Sequence, residues 1–133
     1  MIGMVLVTHG ALAVEFKSAL EHVVGPQEFC ETICIGPEDN MDNRRDDILS
    51  ALERANDGQG VVILTDMFGG TPSNLAISVM QNGMVEVIAG VNLPMLVKLA
   101  RIRGEMPIKE AVDKAQEAGR KYINVANSIL GGS

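Results

Sequence analysis

Two short runs of almost continuous apolar residues, 2–7 and 61–64, constrain the fold of this chain more than any other feature. A run of this length without polar alternation is typical of a strand that is buried on both faces, as in a parallel sheet. Residues 29–35 and 85–91 also have strand character, and the more mixed composition of 85–91 places that strand nearer an edge of the sheet. The sequence therefore predicts four strands.

Segments with helical periodicity separate these strands. The predicted helices are Leu12–Val24, stopped by Gly25 and Pro26; a charged helix over 42–55; a helix with Thr71 as its cap and Pro72 at its first position; and helices over 96–103 and 108–123. Strands that alternate with helices predict an α/β fold with a single doubly wound, mostly parallel sheet in the order 2-1-3-4 and helices on both faces.

The end of the chain is ambiguous by sequence. Residues 125–130 either extend the last helix or form a short edge strand. No internal repeat and no linker interrupts the chain, so residues 1–133 are predicted to form one domain.

The composition limits the classes of partner and cofactor. The chain has a formal net charge of −6, and only 3% of its residues are aromatic. Nucleic acids and anionic membranes require a basic face, so we expect neither as a direct partner. Scarce aromatic side chains disfavour stacking sites for bases or flavin rings, and we expect no cofactor.

The sequence predicts a cytoplasmic location. The apolar opening is too short for a signal peptide and lacks a basic start, and no stretch approaches the roughly 20 apolar residues of a membrane span. Cys30 and Cys34 do not have the spacing of a common zinc or redox motif, so we expect two reduced cysteines and no metal site.

The candidate chemistry lies where the first and third strands end. In doubly wound sheets, ligands bind outside the carboxyl ends of the strands, where the winding reverses, and in the order 2-1-3-4 that crevice lies between strands one and three. His9 and Asp66 stand at these two ends. A carboxylate that accepts a hydrogen bond from Nδ1–H fixes the imidazole tautomer and leaves the Nε2 lone pair outward. We therefore expect His9 to carry a phosphoryl group on Nε2, with Asp66 orienting the ring.

A glycine-rich segment that opens a helix follows Asp66. Backbone N–H groups at glycines and at a helix N-terminus can surround a phosphate without a basic side chain. The predicted phosphate-binding residues are Gly10, Gly69, Gly70, Thr71, Ser73 and Asn74. Pro72 has no N–H, so Ser73 and Asn74 are expected to be the helical donors, with the Thr71 hydroxyl both capping the helix and donating to a phosphate oxygen.

Three motifs carry a family resemblance. Residues 4–10 (MVLVTHG), 64–74 (LTDMFGGTPSN) and 87–96 (VIAGVNLPML) resemble, in order and over nearly the whole chain, the IIA component of the mannose family of the bacterial phosphotransferase system. The family often has Trp at the position of Phe68 and Ser at that of Thr71, and the first of these differences is expected to alter contact with a partner.

The resemblance implies a role for the chain in phosphoryl transfer. His9 would receive phosphate from the phosphocarrier protein HPr and pass it to a IIB protein for sugar uptake, with membrane contact only indirectly through permease subunits. Phe68, Asn92 and Pro94 would lie on the rim that meets partners. The family fold has an antiparallel edge strand exchanged between the protomers of a dimer, so the resemblance also implies a homodimer.

Several alternatives stay open at the level of sequence. No IIB segment is present in the 133 residues, so the acceptor would be a separate protein, or the chain would act as a phosphorylation-dependent regulator. A related domain donates phosphate to dihydroxyacetone kinase. A small metal chelatase, in which His9 would ligate the metal, is an alternative from another class and needs a second histidine near the site; His22, in the middle of a helix, is poorly placed for it.

Overall fold

The computed structural model describes residues 1–80 and 84–131, and these residues form a sheet with helices packed on it. The strands are β1 (Gly3–His9), β2 (Cys30–Ile35), β3 (Val61–Thr65) and β4 (Val85–Ala89). The helices are α1 (Leu12–Val24), α2 (Met41–Ala55), α3 (Thr71–Ser78), α4 (Leu93–Ile102), α5 (Ile108–Lys121) and the single turn α6 (Ala126–Ile129).

The four strands form one sheet in the order β2-β1-β3-β4, and every neighbouring pair is parallel. The register pairs His9 with Ile35 on one side of β1 and Val7 with Thr65 on the other. The predicted α/β class and strand order are therefore confirmed. In the central strands, hydrophobic side chains are buried on both faces, as the apolar runs predicted.

Alternate residues of the central strands face two separate apolar layers. Met4 and Leu6 pack in the layer that contains residues of α1, α4 and α5. Val5 and Val7 pack in the opposite layer, with residues of α2 and α3. All four side chains are fully buried. Helices therefore cover both faces of the sheet, as predicted, and His9 at the end of β1 is exposed.

Three helix starts differ from the sequence prediction, and that of α2, at Met41 instead of residue 42, differs by a single residue. The helix expected over 96–103 begins at Leu93, because the Asn92 side chain accepts a hydrogen bond from the Met95 N–H at 3.0 Å and caps it. The predicted cap at Thr71 is wrong by one residue. Gly70 is the cap of α3, and Thr71 is already helical with no capping bond from its hydroxyl.

The last helix ends before its predicted limit, and the tail that follows makes little contact with the rest of the chain. The helix predicted over 108–123 ends at Lys121. Neither form left open for 125–130 is present, because Ala126–Ile129 is a separate helical turn that does not continue α5 and is not a strand. Ile129 and Leu130 are exposed. Among the described residues, no helix has the length and apolar character needed to cross a bilayer.

Arg103 joins the amino-terminal ends of β1 and β2. Its guanidinium is buried and donates to the carbonyl oxygens of Ile2 and Phe29, and also to the Glu28 carbonyl and the Gln27 side chain. The buried charge is thus hydrogen-bonded on several sides, which a buried guanidinium requires. This edge of the sheet lies opposite the carboxyl ends of the strands.

Candidate functional site

The candidate site lies at the carboxyl ends of the two central strands. His9 is the last residue of β1, and Asp66 directly follows β3, its neighbour in the sheet. Parallel neighbours end at the same edge, so the register alone brings the imidazole and the carboxylate together. The chain leaves β1 toward β2 on one side, while β3 lies on the other, which makes this the point where the winding reverses.

Asp66 holds His9 through two contacts with the same carboxylate oxygen. Oδ2 accepts a hydrogen bond from the His9 main-chain N–H at 2.9 Å and lies 2.8 Å from the ring atom Nδ1. Oδ1 accepts from the Met67 N–H at 3.0 Å, which fixes the plane of the carboxylate. The Asp66 side chain is 13% exposed, whereas that of His9 is 48% exposed. The carboxylate is therefore held inside, and the ring reaches the surface.

The hydrogen bonds decide the charge of Asp66 and the tautomer of the ring. Partial burial alone would raise the pKa of Asp66, but hydrogen bonds from the His9 N–H, the His9 ring and the Met67 N–H together hold that pKa below its usual value. An ionised carboxylate only accepts hydrogen bonds, so the proton of a neutral His9 lies on Nδ1. The lone pair is then on Nε2, the nitrogen that faces away from Asp66.

Gly70 lies against the edge of the ring that carries Nε2. A methyl group on Gly70 would stand 2.8 Å from His9 Cε1 and 3.2 Å from Nε2. Only glycine allows the backbone to approach the ring this closely. The preceding residue, Gly69, has φ +83°, a left-handed conformation that turns the chain from Asp66 into α3.

A small cavity of about 210 Å³ adjoins the ring. It is lined by His9, Gly10, Ile35, Gly36, Pro37, Met41 and Thr71. The loop between β2 and α2 and the first residue of α2 form one side, and the start of α3 forms the other. None of these lining residues carries a positive charge, so backbone dipoles and the Thr71 hydroxyl are the polar groups nearest to an anion there.

The backbone donors differ in part from those predicted. The Gly10 N–H donates to the Ile35 carbonyl at 2.9 Å, and the Asn74 N–H donates to the Gly70 carbonyl at 3.1 Å. Both amides are therefore already used within the fold. Within residues 1–80 and 84–131, the N–H groups of Thr71 and Ser73 have no acceptor. Thr71 lines the cavity beside His9, whereas Ser73 is fully buried, so the Thr71 N–H is the donor that the first turn of α3 offers to a ligand.

The side chains of α3 also divide into structural and exposed groups. Ser73 is fully buried, and its hydroxyl donates to the Gly70 carbonyl at 3.1 Å, which steadies the start of the helix. The side chains of Thr71 and Asn74 are exposed.

The predicted rim residues lie in different places. Phe68 is 67% exposed beside Asp66 and is available to a partner. The Asn92 side chain is engaged, since it caps α4 and donates to the Gly119 carbonyl at 2.8 Å. Pro94 lines a separate cavity between α4 and α5. The rim thus stays a prediction, best supported at Phe68.

Sequence reasoning missed two contributors to the site. Thr8 is fully buried, and its hydroxyl accepts a hydrogen bond at 2.7 Å from the Ala13 N–H in the first turn of α1. This contact fixes the start of α1 directly after His9. The cavity wall formed by Gly36, Pro37 and Met41 was also missed, because none of these residues has a reactive side chain. The register of β2 against β1 is the signal that could have found that wall, since it places Ile35 beside His9.

The two histidines of the chain are in separate surroundings. His22 lies in the last turn of α1, not in the middle of a helix as expected, and lines a shallow cavity with Val14 and Thr32. His9 lines the cavity beside α3. Among the described residues, no group of three His, Cys, Asp or Glu side chains is arranged to hold a metal ion.

Comparison with known proteins gives concordant results. A family model described as the PTS system fructose IIA component matches residues 3–116. The chain is 35% identical over 124 residues to the PTS system mannose-specific EIIAB component of Escherichia coli, covering 92% of this chain and 38% of that protein. It is 32% identical to the PTS system sorbose-specific EIIA component of Lacticaseibacillus casei, covering 90% of this chain and 86% of that protein.

Solved structures resemble the fold over almost its whole length. The phosphotransferase system component EIIA from Streptococcus agalactiae superposes with a TM-score of 0.87 at 25% identity, covering 96% of this chain and 99% of that one. A mannose/sorbose-specific IIA subunit from Enterococcus faecalis superposes with a TM-score of 0.82 at 23% identity, covering 93% of each chain, and supports the fold alone.

Proposed function

The chain belongs to the mannose-type IIA family of the phosphotransferase system, and from this premise we propose that it is a histidine phosphocarrier that accepts a phosphoryl group on Nε2 of His9. The observation that carries the proposal is the 2.8 Å contact between His9 Nδ1 and Asp66 Oδ2. This contact leaves Nε2, the nitrogen that faces away from Asp66, as the nucleophilic atom of a side chain that is 48% exposed.

Transfer follows from the chemistry of the imidazole. The Nε2 lone pair forms the new N–P bond, while the bond between phosphorus and the donor's histidine nitrogen breaks and its electron pair returns to the donor. The His9 ring becomes cationic, and the ionised Asp66 stabilises it through Nδ1–H. The reverse movement of electrons passes the group to an acceptor. Asp66 thus acts in both directions without bonding to phosphorus.

The phosphoryl oxygens are stabilised by dipoles in this proposal. The N–H group and the hydroxyl of Thr71 are the donors at the start of α3, and the helix presents the positive end of its dipole there. The N–H of Ser73, which was expected from the sequence to donate as well, is buried in this structure. Gly69 and Gly70 allow the backbone to reach this position. Gly10 and Asn74 contribute to the shape of the site rather than through their amide protons, which are used elsewhere.

The partners follow from the family. We expect HPr as donor and a IIB protein as acceptor in sugar uptake, with the exposed Phe68 in the contact surface. We also expect a homodimer in the cytoplasm. A regulatory role, or donation to a dihydroxyacetone kinase, would use the same phosphohistidine and differs only in the acceptor. The chelatase alternative needs two histidines at one site, and the separate positions of His9 and His22 give it no support.

Phosphorylation by a defined series of donors tests the proposal. Incubation with phosphoenolpyruvate, enzyme I and HPr should add one phosphoryl group that is labile to acid and stable to alkali, measured by intact mass. His9→Ala should abolish the addition, and the matched variant His22→Ala should keep it. Loss of phosphorylation in His22→Ala with retention in His9→Ala would overturn the assignment. Transfer onward to a IIB protein or to a kinase then distinguishes the acceptors.

A further inference from the structure

A large apolar cavity lies away from His9, in a groove between α4 and α5 that the end of α1 closes. Its volume is about 580 Å³. The floor is apolar and is formed by Val23, Leu93, Pro94, Val97, Ile102 and Ala118. Apart from Pro94, which was expected on the rim that meets partners, none of these residues has a role in the proposed transfer, so the groove needs a separate explanation.

The rim of the groove is basic in a chain that is acidic overall. Lys98 and Arg101 on α4 and Lys114 and Lys121 on α5 line it, together with a single acidic residue, Glu117. They are four of the chain's 11 Lys and Arg residues, whereas the net charge of the chain is −6. Within the part of the chain that the structure describes, none of the four is in an ion pair.

We propose that this groove binds an acidic amphipathic helix of a protein partner, with the apolar face of that helix on the groove floor and its carboxylates between the lysine and arginine side chains of the two walls. A groove with an apolar floor is how proteins recognise amphipathic helices. The unpaired cations supply the charge complementarity that selects an acidic sequence and aligns it. The proposal does not depend on the chemistry of His9.

The distribution of the charges favours a helix over a small anion. Lys114 and Lys121 are seven residues apart on α5, which separates them by about 10 Å along the helix axis. Lys98 and Arg101 face them from the other wall, one turn apart. A small anionic ligand has one charged head and would need one cluster of cations. Cations spread along both walls match a linear array of carboxylates.

The site of binding can be tested with a designed probe. The probe is a fluorescein-labelled helical peptide of about four turns, with leucines at i, i+3, i+4 and i+7 and glutamates on both flanks. We expect saturable binding by fluorescence anisotropy, with NMR shift changes confined to α4, α5 and the end of α1. A peptide of the same composition with the leucine stripe broken, and one with lysine in place of glutamate, should bind at least about tenfold more weakly.

Matched variants assign the binding to the groove. The double change Lys98→Glu with Arg101→Glu should weaken binding about tenfold or more, while Arg45→Glu with Lys109→Glu changes the net charge equally at exposed positions outside the groove and should leave it unchanged. Lys98→Gln with Arg101→Gln serves as a milder version if the reversal disturbs folding. His9→Ala should bind normally, which separates this proposal from the phosphocarrier proposal.

Four outcomes would overturn the proposal. The broken-stripe peptide could bind as well as the probe, or the two double variants could weaken binding equally. Vesicles of phosphatidylglycerol could bind the protein through the same four cations and compete with the peptide, which would identify a membrane as the occupant. Sedimentation could show that the groove variants alone lose a dimer, which would identify a second copy as the occupant.

Discussion

Asp66 Oδ2 accepts from the main-chain N–H of His9 and contacts Nδ1 of the same residue, at 2.9 and 2.8 Å. One carboxylate oxygen therefore fixes both the backbone and the ring of its neighbour. The ring has little freedom to rotate away from Asp66 or to expose Nδ1. The direction of the reactive nitrogen is thus set before any partner binds.

Asp66→Asn should slow phosphoryl transfer to His9 by at least about tenfold with little change in folding. The amide keeps the size of the side chain but lacks the charge, and its NH₂ group can favour the wrong ring tautomer. Rapid-quench transfer from phosphorylated HPr measures the rate. Asp57→Asn, which alters a surface contact with the amino terminus, is the matched control and should transfer normally. Equal rates for Asp66→Asn and wild type would remove the orienting role.

Gly70→Ala should reduce transfer on the order of 10- to 100-fold, because the new methyl group would stand 2.8 Å from Cε1 and 3.2 Å from Nε2 and would shift the ring. The same transfer assay measures the effect. Gly104→Ala adds a methyl group that meets only Met1 Cβ, at 4.0 Å, far from the site. Normal transfer in Gly70→Ala would show that the loop moves away from the ring in the working complex.

The free energy of unfolding should fall at acidic pH because of Asp66. The pKa of Asp66 is lower in the folded chain than its ordinary value of 3.8. Such a carboxyl group stabilises the fold fully at pH values above that ordinary pKa, and this contribution is lost as the pH falls through the pKa of the folded state. Urea unfolding of wild type and Asp66→Asn from about pH 7 to about pH 3 measures it. The advantage of wild type over the variant should be constant at neutral pH and shrink below about pH 4. A difference that does not change with pH would contradict the low pKa.

Thr8→Val should destabilise the protein by about 1–2 kcal/mol, since the Ala13 N–H loses its acceptor in a buried position. Thr8→Ser keeps the hydroxyl and should restore most of the stability. The midpoint of urea unfolding, at an unchanged m-value, is the measurement. A midpoint equal to wild type in Thr8→Val would mean that another group caps α1.

Thr65→Val, unlike Thr8→Val, should not destabilise the protein. The Thr65 hydroxyl is fully buried and has no hydrogen-bond partner among the described residues, so replacing it with a methyl group removes an unsatisfied polar atom. We expect a change between zero and about 1 kcal/mol of added stability. Loss of stability as large as that of Thr8→Val would show that an ordered water or ion satisfies the hydroxyl.

The fold and the pairing of His9 with Asp66 were predictable from sequence because both follow from strand order. The apolar runs identified the strands, and parallel neighbours must end at the same edge. The family and the α/β class are confirmed. The phosphoryl-binding roles stay predictions, although the two central side chains lie where the sequence placed them.

The finer features of the site depend on distances that sequence patterns do not contain. The cap of α3 shifted from Thr71 to Gly70, because a glycine in an extended conformation can precede the helix as readily as a threonine. That one-residue shift changes which amides are free, so the Asn74 N–H is used within the helix. Met41 lines the cavity because it is the first residue of α2. It was not predicted there because periodicity locates the start of a helix only to within a few residues.

The buried Arg103 has a consequence for how substitutions in this protein would be tolerated. Its guanidinium donates to carbonyl oxygens where β1 and β2 begin, whereas at the opposite edge of the sheet the N–H groups of Thr71 and Ser73 have no acceptor among the described residues. In a random mutational library, substitutions at the two ends of the strands should therefore have different effects. Changes near Arg103 should lower the amount of soluble protein recovered, whereas changes near His9 should lower the turnover of correctly folded molecules.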